Sequence, residues 1–519
     1  MKTVRTHFLL IGCLLLWISI QALPELSQNR IDPTDSALFA ANGAFFLTII
    51  REFDQLISHP VDWLYSYYNQ YPALAVRRHA PVFGISEAIV FLFTGISVFG
   101  AKLTAFIYSI AFAVGVYALS YRIWRDALLA VATSFLVMAT PQIIWLGTAV
   151  RLDLPALAFA VWALFHYIEY SRTAQRSSAI WFALLGVLSI YTYQLAFLFV
   201  APACFHLIIL KREKVFTDRT VWIVFLILLI LGIPLLAQQF YFAMDNITAA
   251  TGGEVEEWKR FHPIQDRLSF TNFLYYPIAW WTNYPVQAVG GALWVIAATR
   301  RKITKDNYLL LLCGISALAF FTWGRGKDPR YAVYTMIPLA LLGVKAAWDL
   351  ILGTSRNGLR NIRRKVATGI IVALGFVQAN AIPTPAYFLM GMEQPVIDIL
   401  AKDGSARILY SGPRDAAFIF HVRQHDLQRT TQSYRATVQI TRSEDLIEFV
   451  KKERIDVIAW EDQDDRPDSE GFLAFRNALR TVVSEDTSFV LLGVYQLDYY
   501  WAAENQKQIV LHVYTRKGA

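Results

Sequence analysis

Charge is what this chain has least of. Asp, Glu, Lys and Arg make up only 17% of its 519 residues, against about 25% in soluble domains. They also come in short clusters, which excludes both an ordinary soluble enzyme and a charged disordered chain. Cysteine is scarce as well: Cys13, Cys204 and Cys313 are the only three, and all fall in apolar stretches. They build neither a disulfide framework nor a zinc motif, so any exported part folds by packing alone.

Apolar residues are abundant, at 55% of the chain, and the mean hydropathy is +0.38. Runs of roughly 17–22 residues can cross a hydrocarbon core of about 30 Å, and they predict an α-helical polytopic membrane protein. Eleven spans are expected, near 7–23, 99–121, 127–145, 154–171, 178–193, 195–210, 220–241, 283–299, 307–323, 331–351 and 365–383. The first has a basic start but no small-x-small cleavage site before Glu25, so it reads as an uncleaved span. The stretch 81–95 is shorter and reads as a helix at the interface or dipping into the bilayer.

Basic residues set the orientation, because Lys and Arg in short loops mark the cytoplasmic side. Alternate loops carry them: Lys2/Arg5, Arg122/Arg125, Arg172/Arg176, Lys211/Arg212/Lys214, Arg300/Arg301/Lys302/Lys305 and Arg356 to Lys365. The net charge of +8 is therefore a topology signal, and no basic patch suited to nucleic acid stands out. With the N-terminus inside, segments 24–98, 146–153, 242–282, 324–330 and 384–519 face outward. The expected location is multi-pass in the plasma (inner) membrane.

After Pro383 and Pro385 the chain turns mixed and polar. Strand patterns at 406–410, 455–460, 489–497 and 509–514 alternate with helical ones at 394–402, 414–423, 443–452 and 470–479. That alternation predicts a small α/β domain with a largely parallel sheet. Two domains follow: a membrane domain, 1–383, whose outward loop 24–98 carries interfacial helices, and a soluble extracytoplasmic domain, 384–519. Within the loop, Ala37–Arg51 has the periodicity of an amphipathic interfacial helix. Trp63, Tyr65, Tyr67, Tyr68 and Tyr71 form an aromatic belt.

The outward segments also hold the reactive side chains. Asp35 lies in Arg30-Ile31-Asp32-Pro33-Thr34-Asp35, and Asp153 in Arg151-Leu152-Asp153-Leu154-Pro155. Each aspartate precedes an apolar helix, so each could also be a plain N-cap worth about 1 kcal/mol. The triplet Arg77-Arg78-His79 breaks the orientation rule and reads as an anion site or a solvated loop. The cluster Arg325-Gly326-Lys327-Asp328-Pro329-Arg330-Tyr331 offers the guanidinium fork and ammonium that suit a phosphate, or forms a short interfacial loop.

Taken in order and on one membrane face, these stretches resemble the GT-C class of polytopic glycosyltransferases, of the protein O-mannosyltransferase and aminoarabinose-transferase type. The resemblance rests on Asp35-Ser36-Ala37-Leu38-Phe39, Arg78-His79-Ala80-Pro81, Arg151-Leu152-Asp153-Leu154-Pro155 and Pro329-Arg330-Tyr331, and covers about residues 7–350. Ser36 stands where the family has Glu, and Tyr191-Thr192-Tyr193-Gln194 replaces a frequent lysine. The resemblance implies transfer of a sugar from a polyprenyl-phosphate donor to a hydroxyl on a lipid, glycan or protein. Asp35 would be the base of an inverting reaction and Asp153 would orient the acceptor or a basic side chain. Arg77, Arg78, His79, Lys327, Arg330 and Tyr331 would hold the donor phosphate. The phosphate leaves as a stable anion, so no general acid is needed. No cofactor is implied, and no ligand spacing supports a divalent metal. A lipid-linked oligosaccharide ligase or oligosaccharyltransferase would work on the same carriers. A transporter would instead place ionisable residues at the midplane, where this chain has almost none.

Overall fold

A computed structural model describes residues 2–74, 76, 81–252, 268–299, 303–324, 327–353, 357–383, 387–402, 404–436, 445–462, 470–501 and 506–517. The chain is an α-helical polytopic membrane protein carrying a small α/β domain at its C-terminal end. The helices run in order α1 (Lys2–Leu26), α2 (Asp35–Arg51), α3 (Phe53–Ser58), α4 (Pro60–Gln70), α5 (Val82–Thr94), α6 (Val98–Trp124), α7 (Ala127–Met138), α8 (Pro141–Leu146) and α9 (Asp153–Thr173). They continue with α10 (Arg176–Thr192), α11 (Phe197–Lys211), α12 (Arg219–Gly252), α13 (Phe270–Asn283), α14 (Pro285–Ala298), α15 (Lys305–Trp323), α16 (Ala332–Leu352) and α17 (Asn357–Ala381).

Among the described residues, six helical stretches are long and apolar enough to cross a membrane: Arg5–Leu26, Val98–Trp124, Gln194–Lys211, Arg219–Gln238, Lys305–Trp323 and Pro329–Leu352. The expected span at 127–145 is broken instead. Thr140 is extended, at φ −74° and ψ 126°, because Pro141 follows it, and proline pushes the preceding residue out of the helical region. The segment 242–282, expected as a loop, is partly helical, since α12 runs to Gly252 and α13 starts at Phe270. Where α14 crosses α16, a Cβ on Gly343 would lie 2.5 Å from the Gly290 carbonyl carbon. Only glycine allows that backbone approach, as small residues do between membrane helices.

The charges collect at the two ends of the bundle. At one end Arg122 pairs with Glu169, Arg172 with Asp306, Arg364 with Asp126, and Lys211 with Asp218 at 2.8 Å. These come from the loops whose basic residues alternate along the sequence. At the other end the loop after α1, the turn before α9, the turn before α16 and the C-terminal domain converge.

That domain contains β1 (Tyr387–Met390), α18 (Glu393–Lys402), β2 (Arg407–Ser411), α19 (Asp415–His425), β3 (Gln432–Arg435), α20 (Leu446–Lys452), β4 (Val457–Glu461), α21 (Glu470–Glu485), β5 (Phe489–Trp501) and β6 (Gln506–Arg516). One sheet runs in the order β1-β5-β6-β4-β2-β3. It is mixed rather than largely parallel: β2 pairs parallel with β3 and β4, while β4–β6, β5–β6 and β1–β5 are antiparallel. Helical crossovers make the parallel half, and β5 and β6 pair antiparallel as consecutive strands.

The α2 helix is not a surface helix. Ala37, Ala40, Ala44 and Leu47 are fully buried, because α2 packs on α5 on one side and on α19 on the other. A Cβ on its Gly43 would lie 2.5 Å from Glu87 Cβ and 2.9 Å from the Phe91 ring, so α2 and α5 touch almost backbone to backbone. Polar contacts fasten the loop to the domain. Ile31 bridges Leu389, Tyr71 donates to Asp426 at 2.8 Å, Arg423 donates to Thr48 at 2.9 Å, and Arg429 pairs with Glu52 while donating to Gln70. One apolar core runs from Ile31, Phe45 and Tyr67 into Ile408, Phe418 and Val513.

Candidate active site

The site begins where α2 begins. Asp32 Oδ1 accepts the backbone N–H of Thr34 at 2.9 Å and its hydroxyl at 2.7 Å, a local turn of the kind aspartate favours. Asp35 is the first residue of the helix, which receives no side-chain cap from its N-cap residue, Thr34. The Asp35 carboxylate is instead engaged by Arg151, whose Nη1 donates to Oδ2 at 2.6 Å. Arg151 Nη2 donates to Asp32 in turn, and the guanidinium lies 5.3 Å from the Trp145 ring. One arginine thus clamps two aspartates three residues apart. Arg151 and Asp32 are buried, whereas the Asp35 side chain remains 47% exposed. Burial alone would pull the arginine pKa down, but Asp32 and Asp35 more than offset it and hold the group charged.

Arg330 reaches the same carboxylate from the far end of the chain. Asp328 Oδ1 accepts the Arg330 backbone N–H at 2.8 Å and starts the 3-10 turn Pro329–Tyr331 that leads into α16. Arg330 Nη2 pairs with Asp328 at 3.0 Å while its Nη1 approaches Asp35 Oδ2 at 3.6 Å. The Nε groups of both Arg151 and Arg330 are buried without a hydrogen-bond partner. Tyr331 stacks on Phe321, with centroids 5.0 Å apart. Asp153, the first residue of α9, accepts a hydrogen bond from Tyr334 of α16 at 3.1 Å, and α9 too receives no side-chain cap at its N-terminus. Burial pushes the Asp153 carboxyl above its ordinary value, against the pull of Arg330 and Arg151.

Asp35, Asp153 and Tyr331 are therefore gathered around the pair Arg151 and Arg330. Lys327 is held differently: it is buried, and its ammonium donates to the carbonyls of Phe321 and Thr322 at 2.8 and 2.9 Å, fastening the end of α15. Arg77, Arg78 and His79 lie outside the described residues. Arg151 was not singled out as a site residue by sequence reasoning, although it stands two residues before Asp153. Its role depends on two carboxylates more than a hundred residues away, which no local pattern displays. Among the described residues, no three His, Cys, Asp or Glu side chains converge as a metal site would require.

No protein-family model matches the sequence, and no curated protein matches it. The fold does have solved counterparts. It superposes on ArnT from Cupriavidus metallidurans in the apo state with a TM-score of 0.58, at 14% identity, over 99% of this chain and 98% of that one. The structure of the same protein bound to undecaprenyl phosphate gives a TM-score of 0.57, also at 14% identity, over 97% of each chain. The chain is a multi-pass membrane protein that shares the fold of ArnT.

Proposed function

We propose that this protein is a membrane glycosyltransferase. In this reading it moves a sugar from a polyprenyl-phosphate carrier to a hydroxyl acceptor at the extracytoplasmic face, with inversion and with Asp35 as general base. The observation that carries the reading is the meeting of Asp35 with two guanidiniums from distant parts of the chain, Arg151 at 2.6 Å and Arg330 at 3.6 Å. The shared fold with ArnT bound to undecaprenyl phosphate supports a polyprenyl phosphate as the carrier.

The reaction needs three things of the protein. The acceptor O–H must meet a base, the anomeric carbon must lie in line behind it, and the leaving phosphate must be met by positive charge. As the acceptor oxygen bonds to the anomeric carbon, the bond from that carbon to the phosphate oxygen breaks. The phosphate leaves with the electron pair and the acceptor proton passes to Asp35. No acid is required, unlike glycoside hydrolysis with its two working carboxylates. Arg330 is mounted rigidly by Asp328, and its unpartnered Nε–H adds a donor beyond those already paired. Such a fork stabilises charge as it grows on the departing phosphate. Arg77, Arg78 and His79 are candidates for the same anion, as is Tyr331 beside Arg330. Lys327 could reach it only by leaving its two carbonyls. Asp153, held by Tyr334, keeps Arg330 and Arg151 oriented.

Purified full-length protein in lipid nanodiscs, given radiolabelled polyprenyl-phosphate sugars and a panel of acceptors, tests the proposal directly. Release of polyprenyl phosphate together with a labelled product of inverted anomeric configuration is expected. A folded preparation that neither binds nor cleaves any donor of this type would overturn the reading.

A further inference from the structure

Beside the carboxylate cluster lies a cavity of about 290 Å³, near the lower end of the range of ligand pockets. It is enclosed by the end of α1, the 30–36 turn, the residues after α8 and strand β1 of the C-terminal domain. Asp32 stands in its wall, neither Arg151 nor Arg330 lines it, and it takes no part in holding the donor as described above.

Its electrostatics are balanced. Arg30 is paired with Glu25 and stacks on Phe388, its guanidinium 3.8 Å from the ring. Lys102 donates to the carbonyls of Glu25 and Gln28 at 2.8 and 3.0 Å. Asp32 is paired with Arg151. Arg30 and Lys102 share the Glu25 carboxylate, Lys102 at 3.5 Å, and with Asp32 the wall holds two basic and two acidic groups, so its charge is not in positive surplus. The remaining surface offers polar groups beside aromatic rings. Trp145 and Tyr387 meet edge to face with centroids 5.8 Å apart, and Thr148 is buried in the wall. The Ser36 hydroxyl lines the cavity, is 1% exposed and has no hydrogen-bond partner. A buried hydroxyl left without a partner costs about 1–3 kcal/mol, a cost that a ligand hydroxyl would remove.

We infer that this cavity is the acceptor subsite, and that it takes an uncharged polyhydroxylated ring, the sugar residue of a glycan or glycolipid. The aromatic rings meet the C–H face of the sugar, while Ser36 and Thr148 meet its hydroxyls. The hydroxyl to be glycosylated then points past Asp32 toward Asp35, one turn of chain away. Asp35 is open to solvent where the other carboxylates are not. The inference rests on the transferase reading but concerns binding, which can be measured without transfer.

The test is saturation-transfer NMR on the full chain in nanodiscs with no donor present. The probes are methyl pyranosides of glucose, galactose and mannose, methyl arabinofuranosides, and the corresponding octyl glycosides. Inorganic phosphate and glycerol phosphate serve as competitors. Binding of at least one neutral glycoside is expected, with no competition from phosphate. Ala149→Phe, which fills the cavity, should weaken it at least tenfold, and Ser36→Val should weaken it severalfold. Octyl glycosides binding more tightly than methyl ones would assign a glycolipid, and equal binding would assign a soluble glycan. Absence of glycoside binding, displacement by phosphate, or full binding by both variants would overturn the inference. Donor cleavage to water in the same preparation reports on the transferase reading separately.

Discussion

Asp35 and Arg151 make opposite demands on a mutation. Asp35→Asn keeps an oxygen for Arg151 and removes only proton acceptance. Loss of a general base typically costs 10²–10⁴-fold in rate, so transfer should collapse while thermal stability in detergent stays near wild type. An Asp35→Asn protein that transfers at a near-normal rate would remove Asp35 from the mechanism. Arg151→Met should do the reverse first. It strands Asp32 without its partner inside the fold, and breaking a buried pair typically costs about 3–5 kcal/mol. A large fall in the midpoint of thermal unfolding is expected, with donor binding weakened in whatever folds; unchanged unfolding would mean that Asp32 finds other support. The aspartates, Arg330 and Tyr331 were legible in the sequence because each stands at the mouth of an apolar run on a common face. Arg151 was legible only as a neighbour of Asp153. What separates it is its contact across the fold with Asp32 and Asp35, and contacts at that separation leave no spacing to read.

Among the elements, α2 departs most from its sequence pattern. Periodicity placed it at the membrane interface, but it is covered on two sides, by α5 and by α19. Its small residues Ala37, Ala40, Gly43 and Ala44 are the trace of that close packing, and they read equally well as a weakly apolar surface. Gly43 makes the arrangement testable. A methyl group there would overlap Glu87 Cβ and Phe91, and overpacking of a tight core costs about 1–3 kcal/mol. Gly43→Ala should therefore lower the unfolding midpoint and reduce turnover, since α2 carries Asp35 at its first residue. A variant with wild-type stability and rate would show that α2 and α5 can part without disturbing the site. In the C-terminal domain the four helices and the strands β2, β4, β5 and β6 were legible, whereas β1 and β3 were not. The parallel character was not, because pairing direction between β4, β5 and β6 depends on which connections are hairpins. The short interval between the last two apolar runs was the available cue.

For the whole molecule, basic residues at one end and the reactive cluster at the other give a single prediction about sidedness. A reporter fused after Ala519 that works only in the cytoplasm should be silent, and one that works only outside should be active. The opposite result would place Asp35, Arg330 and the C-terminal domain on the cytoplasmic side and remove the extracytoplasmic reaction. Six of the eleven expected spans match helices among the described residues that are long and apolar enough to cross a membrane, whereas the break before Pro141 was lost in an otherwise continuous apolar run.

The joining of Ile31 to Leu389, and of Glu52, Gln70 and Tyr71 to Arg429 and Asp426, bears on how the protein is made. Chains emerge from their N-termini, and their early parts fold first during synthesis. Here the segment carrying Asp35 leaves the ribosome long before β1 and α19, the strand and helix that cover it. The reactive face therefore stays incomplete through most of insertion. A chain stopped before α19 leaves the side of α2 that α19 covers exposed, which quality-control proteases can read as unfinished. Completion of this face thus comes late in biosynthesis, and a product truncated before α19 should be degraded rather than persist.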